Sequence, residues 1–110
     1  VIIDDSIVRG TTSKRLVKIL RDSGAREIHF RSVSPPIIAP CFLGIDTPKK
    51  DDLIAANMTV EELKDYLGVD SLEFLSVENL INILGSDQHC FGCFTEKYPV
   101  AKPKESELFS

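Results

Sequence analysis

The feature that most constrains this 110-residue chain is its opening run of twelve residues. Val1-Ile2-Ile3 is apolar and β-branched, and it leads directly into Asp4-Asp5. Such a run reads as the end of a buried strand, and a buried strand needs neighbours on both sides. The chain is therefore expected to be the C-terminal piece of a longer polypeptide. Ser6-Ile7-Val8-Arg9-Gly10-Thr11-Thr12 reads as a loop, with Thr11 or Thr12 able to cap a helix. Leu16, Val17, Ile19 and Leu20 then recur at helical spacing, with Lys14, Arg15, Lys18 and Arg21 on the wet side and Gly24 as the stop. Ile28, Phe30 and Ser32 alternate with Glu27, His29 and Arg31, the period of a half-buried strand, which Pro35-Pro36 ends. Strand, loop, helix and strand make one βαβ unit. The expected fold class is α/β with a parallel sheet and a right-handed crossover.

The second half is expected to be mostly helical. Phe42–Ile45 is a short apolar piece, and residues 50–57 suit a short helix. Thr59 and Glu62 have capping-box spacing, opening a helix to about Gly68. Residues 71–75 suit a short strand. Ser76 caps a last helix carrying Val77, Leu80, Ile81 and Leu84, stopped by Gly85. From Ser86 the periodicity is lost, and residues 101–110 read as a frayed tail.

Composition limits the function classes. With 43% apolar and 27% charged residues, this is ordinary globular material for one domain at most. No apolar run approaches the roughly 20 residues of a membrane-spanning helix, and no secretion signal is visible. A net charge of −4 supplies no global field for nucleic acid or anionic lipid, so neither is an expected partner.

The loop carries the chemistry. It follows the carboxyl end of a strand, where ligands bind in open α/β sheets. Backbone amides at the helix start, with the Thr11 and Thr12 hydroxyls, form an anion cradle, and Gly10 lets the backbone come close to a phosphate. Asp4 and Asp5 would repel that phosphate unless they face something else on the ligand. Sugar hydroxyls donate to carboxylates, and a divalent cation takes hard oxygen ligands. The pattern thus points to a phosphorylated sugar, with phosphate in the loop and ribose hydroxyls over the two acids. Neither G-x-x-x-x-G-K-[ST] nor G-x-G-x-x-G is present.

Three cysteines, Cys41, Cys90 and Cys93, are an odd number and argue against a disulfide framework. Cys90-Phe91-Gly92-Cys93 is a C-x-x-C pair able to place two thiolates on one metal, but three thiols make an incomplete Cys₄ set. Zinc with His89 completing Cys₃His is one alternative, although His89 adjoins Cys90 and adjacent ligands strain a tetrahedral site. Three unrelated buried thiols are another. His29, on the polar side of its strand, reads as a surface residue rather than a ligand or base.

Residues 1–12 resemble the phosphoribosyl pyrophosphate (PRPP) motif of the type I phosphoribosyltransferases, and their Ser-Ile-Val-Arg-Gly-Thr-Thr variant is similar to that of the amidophosphoribosyltransferases. The resemblance continues through Ser34-Pro35-Pro36, Cys41-Phe42-Leu43-Gly44-Ile45-Asp46, Phe74-Leu75-Ser76-Val77-Glu78 and Cys93-Phe94-Thr95-Glu96-Lys97-Tyr98-Pro99. Glu96 departs from it, standing where Gly is expected, so the local turn is the place to look for a difference.

The resemblance implies that residues 1–45 complete a phosphoribosyltransferase sheet and that residues 46–110 form a helical segment with a cysteine-bearing tail. It implies that Asp4 and Asp5 bind the ribose hydroxyls directly or through Mg²⁺, and that Arg9, Gly10, Thr11 and Thr12 hold the 5′-phosphate. It implies transfer of glutamine-derived ammonia to C1 of PRPP in purine synthesis, with the glutamine site in a separate N-terminal domain. In the clustered subclass, Cys41, Cys90 and Cys93 resemble three ligands of a [4Fe–4S] cluster whose fourth lies upstream. A cytoplasmic homo-oligomer, inactive as this piece alone, is the corresponding expectation. The competing reading is a PRPP-sensing regulator that binds but does not catalyse.

Overall fold

The computed structural model describes residues 1–101; the expected frayed tail lies, apart from Ala101, outside them. Three strands form one sheet: β1 (Ile2–Asp4), β2 (His29–Ser32) and β3 (Ser71–Phe74), in the order β1-β2-β3. Both pairings are parallel, with Ile3 beside Arg31 and Phe30 between Ile2 and Leu72. The α/β class with a parallel sheet is the one the periodicity predicts. The sheet draws on both halves of the chain, since β3 comes from residues 71–74.

The helices are α1 (Thr11–Asp22), α2 (Ile54–Asn57), α3 (Val60–Leu67), α4 (Val77–Leu84) and α5 (Gly92–Thr95), with a 3₁₀ turn at Lys50–Asp52 before α2. Local signals explain four of these boundaries. Thr59 and Glu62 make the reciprocal capping box, the Ser76 hydroxyl accepts from the Asn79 amide, and Gly68 and Gly85 close α3 and α4 in the left-handed conformation.

Phe30 sits fully buried at the centre of β2, surrounded by Ile7, Val17, Ile28, Leu63, Leu67, Val69 and Leu72. These residues come from the loop, α1, α3, β3 and the segments leading into β2 and β3, so burying one strand's apolar face fixes where α1 and α3 lie. Asp70 locks the strand starts: its Oδ2 accepts from the Ile28 amide at 2.7 Å and from the Arg21 guanidinium at 2.8 Å. The Ile28 N–H, and after it Arg21, hold the Asp70 carboxyl below the usual carboxylate range. The other sheet face is bare among the described residues: Ile3 and Val33 are exposed, and α4, with Ile83 outward, buries no residue.

Candidate functional site

The strand-to-helix loop folds as a cradle because its middle is pinned from behind. Ile7 is 1% exposed and anchors the loop in the core. The Val8 carbonyl accepts the Ile54 amide at 2.9 Å, tying the loop to α2. Asp4, Asp5, Ser6, Val8, Arg9, Gly10, Thr11, Thr12 and Ser13 line one cleft of about 340 Å³. All six residues expected to contact a sugar phosphate are therefore brought together. Asp4 and Asp5 stand at the end of β1, where the Asp4 Oδ1 accepts the Asp5 amide at 2.8 Å and the Ser6 hydroxyl reaches Asp5 Oδ1 at 3.5 Å.

Neither threonine caps α1. The helix begins at Thr11 and its N-cap is Gly10, at φ 80° and ψ −10°, with no side-chain cap. Thr11 and Thr12 instead occupy the first turn, exposed to the cleft, where backbone amides lack partners inside the helix. Gly10 also has a reason that its neighbours in sequence do not show. A Cβ there would lie 2.7 Å from Ile54 Cδ1 and 3.6 Å from the Tyr66 ring. The loop thus needs glycine both for the left-handed backbone and for its packing on α2. Lys14 covers the Tyr66 ring, with Nζ 3.9 Å from its centre.

The segments that carry Cys41 and Cys93 touch each other. The Cys93 carbonyl accepts the amides of Ile38 and Ala39 at 2.9 and 3.1 Å, which holds α5 against the turn leading to Cys41. Cys41 Sγ accepts the Leu43 amide at 3.4 Å, and the amides of Ile45, Leu43 and Gly44 draw its thiol below the ordinary value. Burial pushes the Cys93 thiol up, and the nearby Cys41 and Cys90 add to the shift as like charges. Among the described residues no group of three or more His, Cys, Asp or Glu is arranged to hold a metal ion. Cys93 sits in a one-turn helix, α5, which the loss of periodicity after Ser86 does not reveal.

No protein-family profile matches the chain. Individual proteins do. It is 54% identical over 110 residues to amidophosphoribosyltransferase 2, chloroplastic, of Arabidopsis thaliana, covering 98% of this chain and 19% of that protein. It is 51% identical over 109 residues to the amidophosphoribosyltransferase of Archaeoglobus fulgidus, covering 96% of this chain and 24% of that protein. The glutamine PRPP amidotransferase of B. subtilis, solved with ADP and GMP, superposes with a TM-score of 0.85 at 49% identity over 94% of this chain and 24% of its own. The chain matches a C-terminal region of amidophosphoribosyltransferases. It spans about a fifth to a quarter of the length of these relatives. Its parallel three-stranded sheet and flanking helices match part of the B. subtilis amidotransferase. Among the described residues no helix is long and apolar enough to cross a membrane.

Glu96, the departure noted in the sequence, is the one non-glycine residue with positive φ among those described, at 65°. It closes α5 and pairs with Lys50. The left-handed conformation costs a residue with a Cβ about 1–2 kcal/mol. Glu96→Ala and Glu96→Gly both lose the carboxylate, so comparing them isolates the backbone. We expect the Gly variant to exceed the Ala variant in unfolding free energy by about 1–2 kcal/mol, measured by denaturant titration of the full-length protein. Equal stability would show that the turn is not left-handed in solution.

Proposed function

We propose that this chain is the PRPP-binding part of an amidophosphoribosyltransferase, which joins ammonia from glutamine to C1 of PRPP and releases pyrophosphate. The observation that carries this is the cleft at the end of β1, where two acids and a helix-start anion cradle converge. In this reading the 5′-phosphate lies on the first-turn amides of α1, with the Thr11 and Thr12 hydroxyls and Arg9 supplying further donors. Asp4 and Asp5 accept from the ribose 2′- and 3′-hydroxyls and hold the ring at a fixed distance from the phosphate. The ammonia nitrogen bonds to C1 as the bond from C1 to the pyrophosphate oxygen breaks. The nitrogen then loses a proton, giving 5-phosphoribosylamine.

The acid pair also suits a hard divalent cation, and in this reading Asp4 and Asp5 contribute to a Mg²⁺ site that offsets charge on the pyrophosphate. Cys41, Cys90 and Cys93 supply three thiolates to a structural [4Fe–4S] cluster, with a fourth ligand from elsewhere in the full protein. The hydrogen bonds from the Ile38 and Ala39 amides to the Cys93 carbonyl, which bring α5 against the turn leading to Cys41, support this reading. Glutamine hydrolysis belongs to a separate domain, and the working enzyme is a cytoplasmic homo-oligomer. The names of the relatives favour the enzyme over a PRPP-sensing regulator.

The full-length protein should release pyrophosphate from PRPP only when glutamine or ammonia is supplied, while residues 1–110 alone should release none. No amine-dependent release by the full-length protein would refute the assignment. Purified without oxygen, it should contain about four irons and four sulfides per chain. Stoichiometric zinc without iron or sulfide would refute the cluster.

A further inference from the structure

Tyr98 touches both cysteine-bearing segments. Its hydroxyl donates to the Pro40 carbonyl at 2.7 Å, next to Cys41. Its ring lies 4.5 Å from the Phe42 ring, on the other side of that cysteine. Its opposite contact is Gly92, inside the C-x-x-C pair: a Cβ on Gly92 would meet Tyr98 ring carbons at 2.3 and 2.6 Å. Gly92 is buried, and it is absent from the glycines with positive φ. Glycine is thus needed there for room rather than for backbone freedom. The same two segments are joined by the Ile38 and Ala39 amides donating to the Cys93 carbonyl.

We propose that Tyr98 is a positioning residue for the cysteine-bearing segments: with Gly92 it clamps α5, which carries Cys93, onto the Pro40–Phe42 turn, which carries Cys41, before any metal arrives. This rests on the cluster reading of Cys41, Cys90 and Cys93. It adds that the two segments are docked by the protein and do not owe their contact to the metal. The consequence is a division between clamp and cluster. A metal-independent clamp predicts a docked tail in the metal-free protein, whereas a tail held by the cluster alone would come loose.

The test uses the full-length protein, anaerobic and also metal-depleted, with Tyr98→Phe, Tyr98→Ala and Gly92→Ala. The Phe variant keeps the ring and loses one hydrogen bond. The Ala variant loses both contacts, and Gly92→Ala pushes the ring away while residue 98 stays tyrosine. In the metal-depleted protein, amide exchange at Ile38 and Ala39 should stay slow in the wild type and the Phe variant. It should rise at least about tenfold in the two Ala variants, because those amides lose their acceptor when α5 lifts. In the anaerobic protein, iron release to a chelator should quicken in the same two variants and stay near wild type in the Phe variant. Unchanged PRPP binding shows that each variant has folded. Wild-type exchange in both Ala variants would overturn the clamp, and so would fast exchange in metal-depleted wild type. A wild type without iron and sulfide would defeat the cluster reading and the ligand role with it, while the exchange data still decide whether the clamp exists.

Discussion

Gly10→Ala should weaken PRPP binding at least about tenfold, because the loop would no longer rest in its binding geometry. Two costs add. Holding alanine at φ 80° costs about 1–2 kcal/mol. The new Cβ would also stand 2.7 Å from Ile54 Cδ1, in a side chain that is itself part of the core, and overpacking of that kind costs about 1–3 kcal/mol. The total is about 2–5 kcal/mol, which is a large fraction of a domain's stability. Ile54→Val removes the clashing Cδ1, so Gly10→Ala combined with Ile54→Val should recover the packing part and not the backbone part. Titration of PRPP into the three full-length variants separates the two. Wild-type affinity in Gly10→Ala would mean that the loop is not packed on α2 as described.

That result would also mark the boundary of what the sequence discloses. The capping box at Thr59 and Glu62 and the Ser76 cap are legible because both partners lie within one turn. The alternation around Phe30 is legible because a strand with one buried face repeats every two residues. The six residues expected to contact the sugar phosphate are contiguous or nearly so, which is why the loop can be read as a site before any fold is known. What sequence does not reveal is held by distant partners. Nothing near Val8 announces that its carbonyl takes the Ile54 amide, and nothing near Tyr98 announces the Pro40 carbonyl. Tyr98 and Pro40 are 58 residues apart. The helix α5 is a single turn, too short for any periodicity to emerge. Reading Thr11 and Thr12 as caps fails for a related reason. Residue type favours them, but the left-handed backbone at Gly10 starts the helix one residue before a hydroxyl can cap it.

The central claim is that Asp4 and Asp5 face the sugar of PRPP while the α1 start holds its phosphate. Asp4→Asn and Asp5→Asn remove charge and leave shape, and neither side chain belongs to the buried core. Each variant loses a charge-assisted hydrogen bond of about 1.5–3 kcal/mol, equivalent to about tenfold to a hundredfold in affinity. The decisive measurement is calorimetric titration of PRPP, with Mg²⁺ present, into full-length wild type and the two variants. The account predicts a tenfold to hundredfold rise in Kd for each, at roughly the magnitude set by one charged hydrogen bond, with glutamine hydrolysis largely retained. Unchanged PRPP affinity in both variants would contradict it.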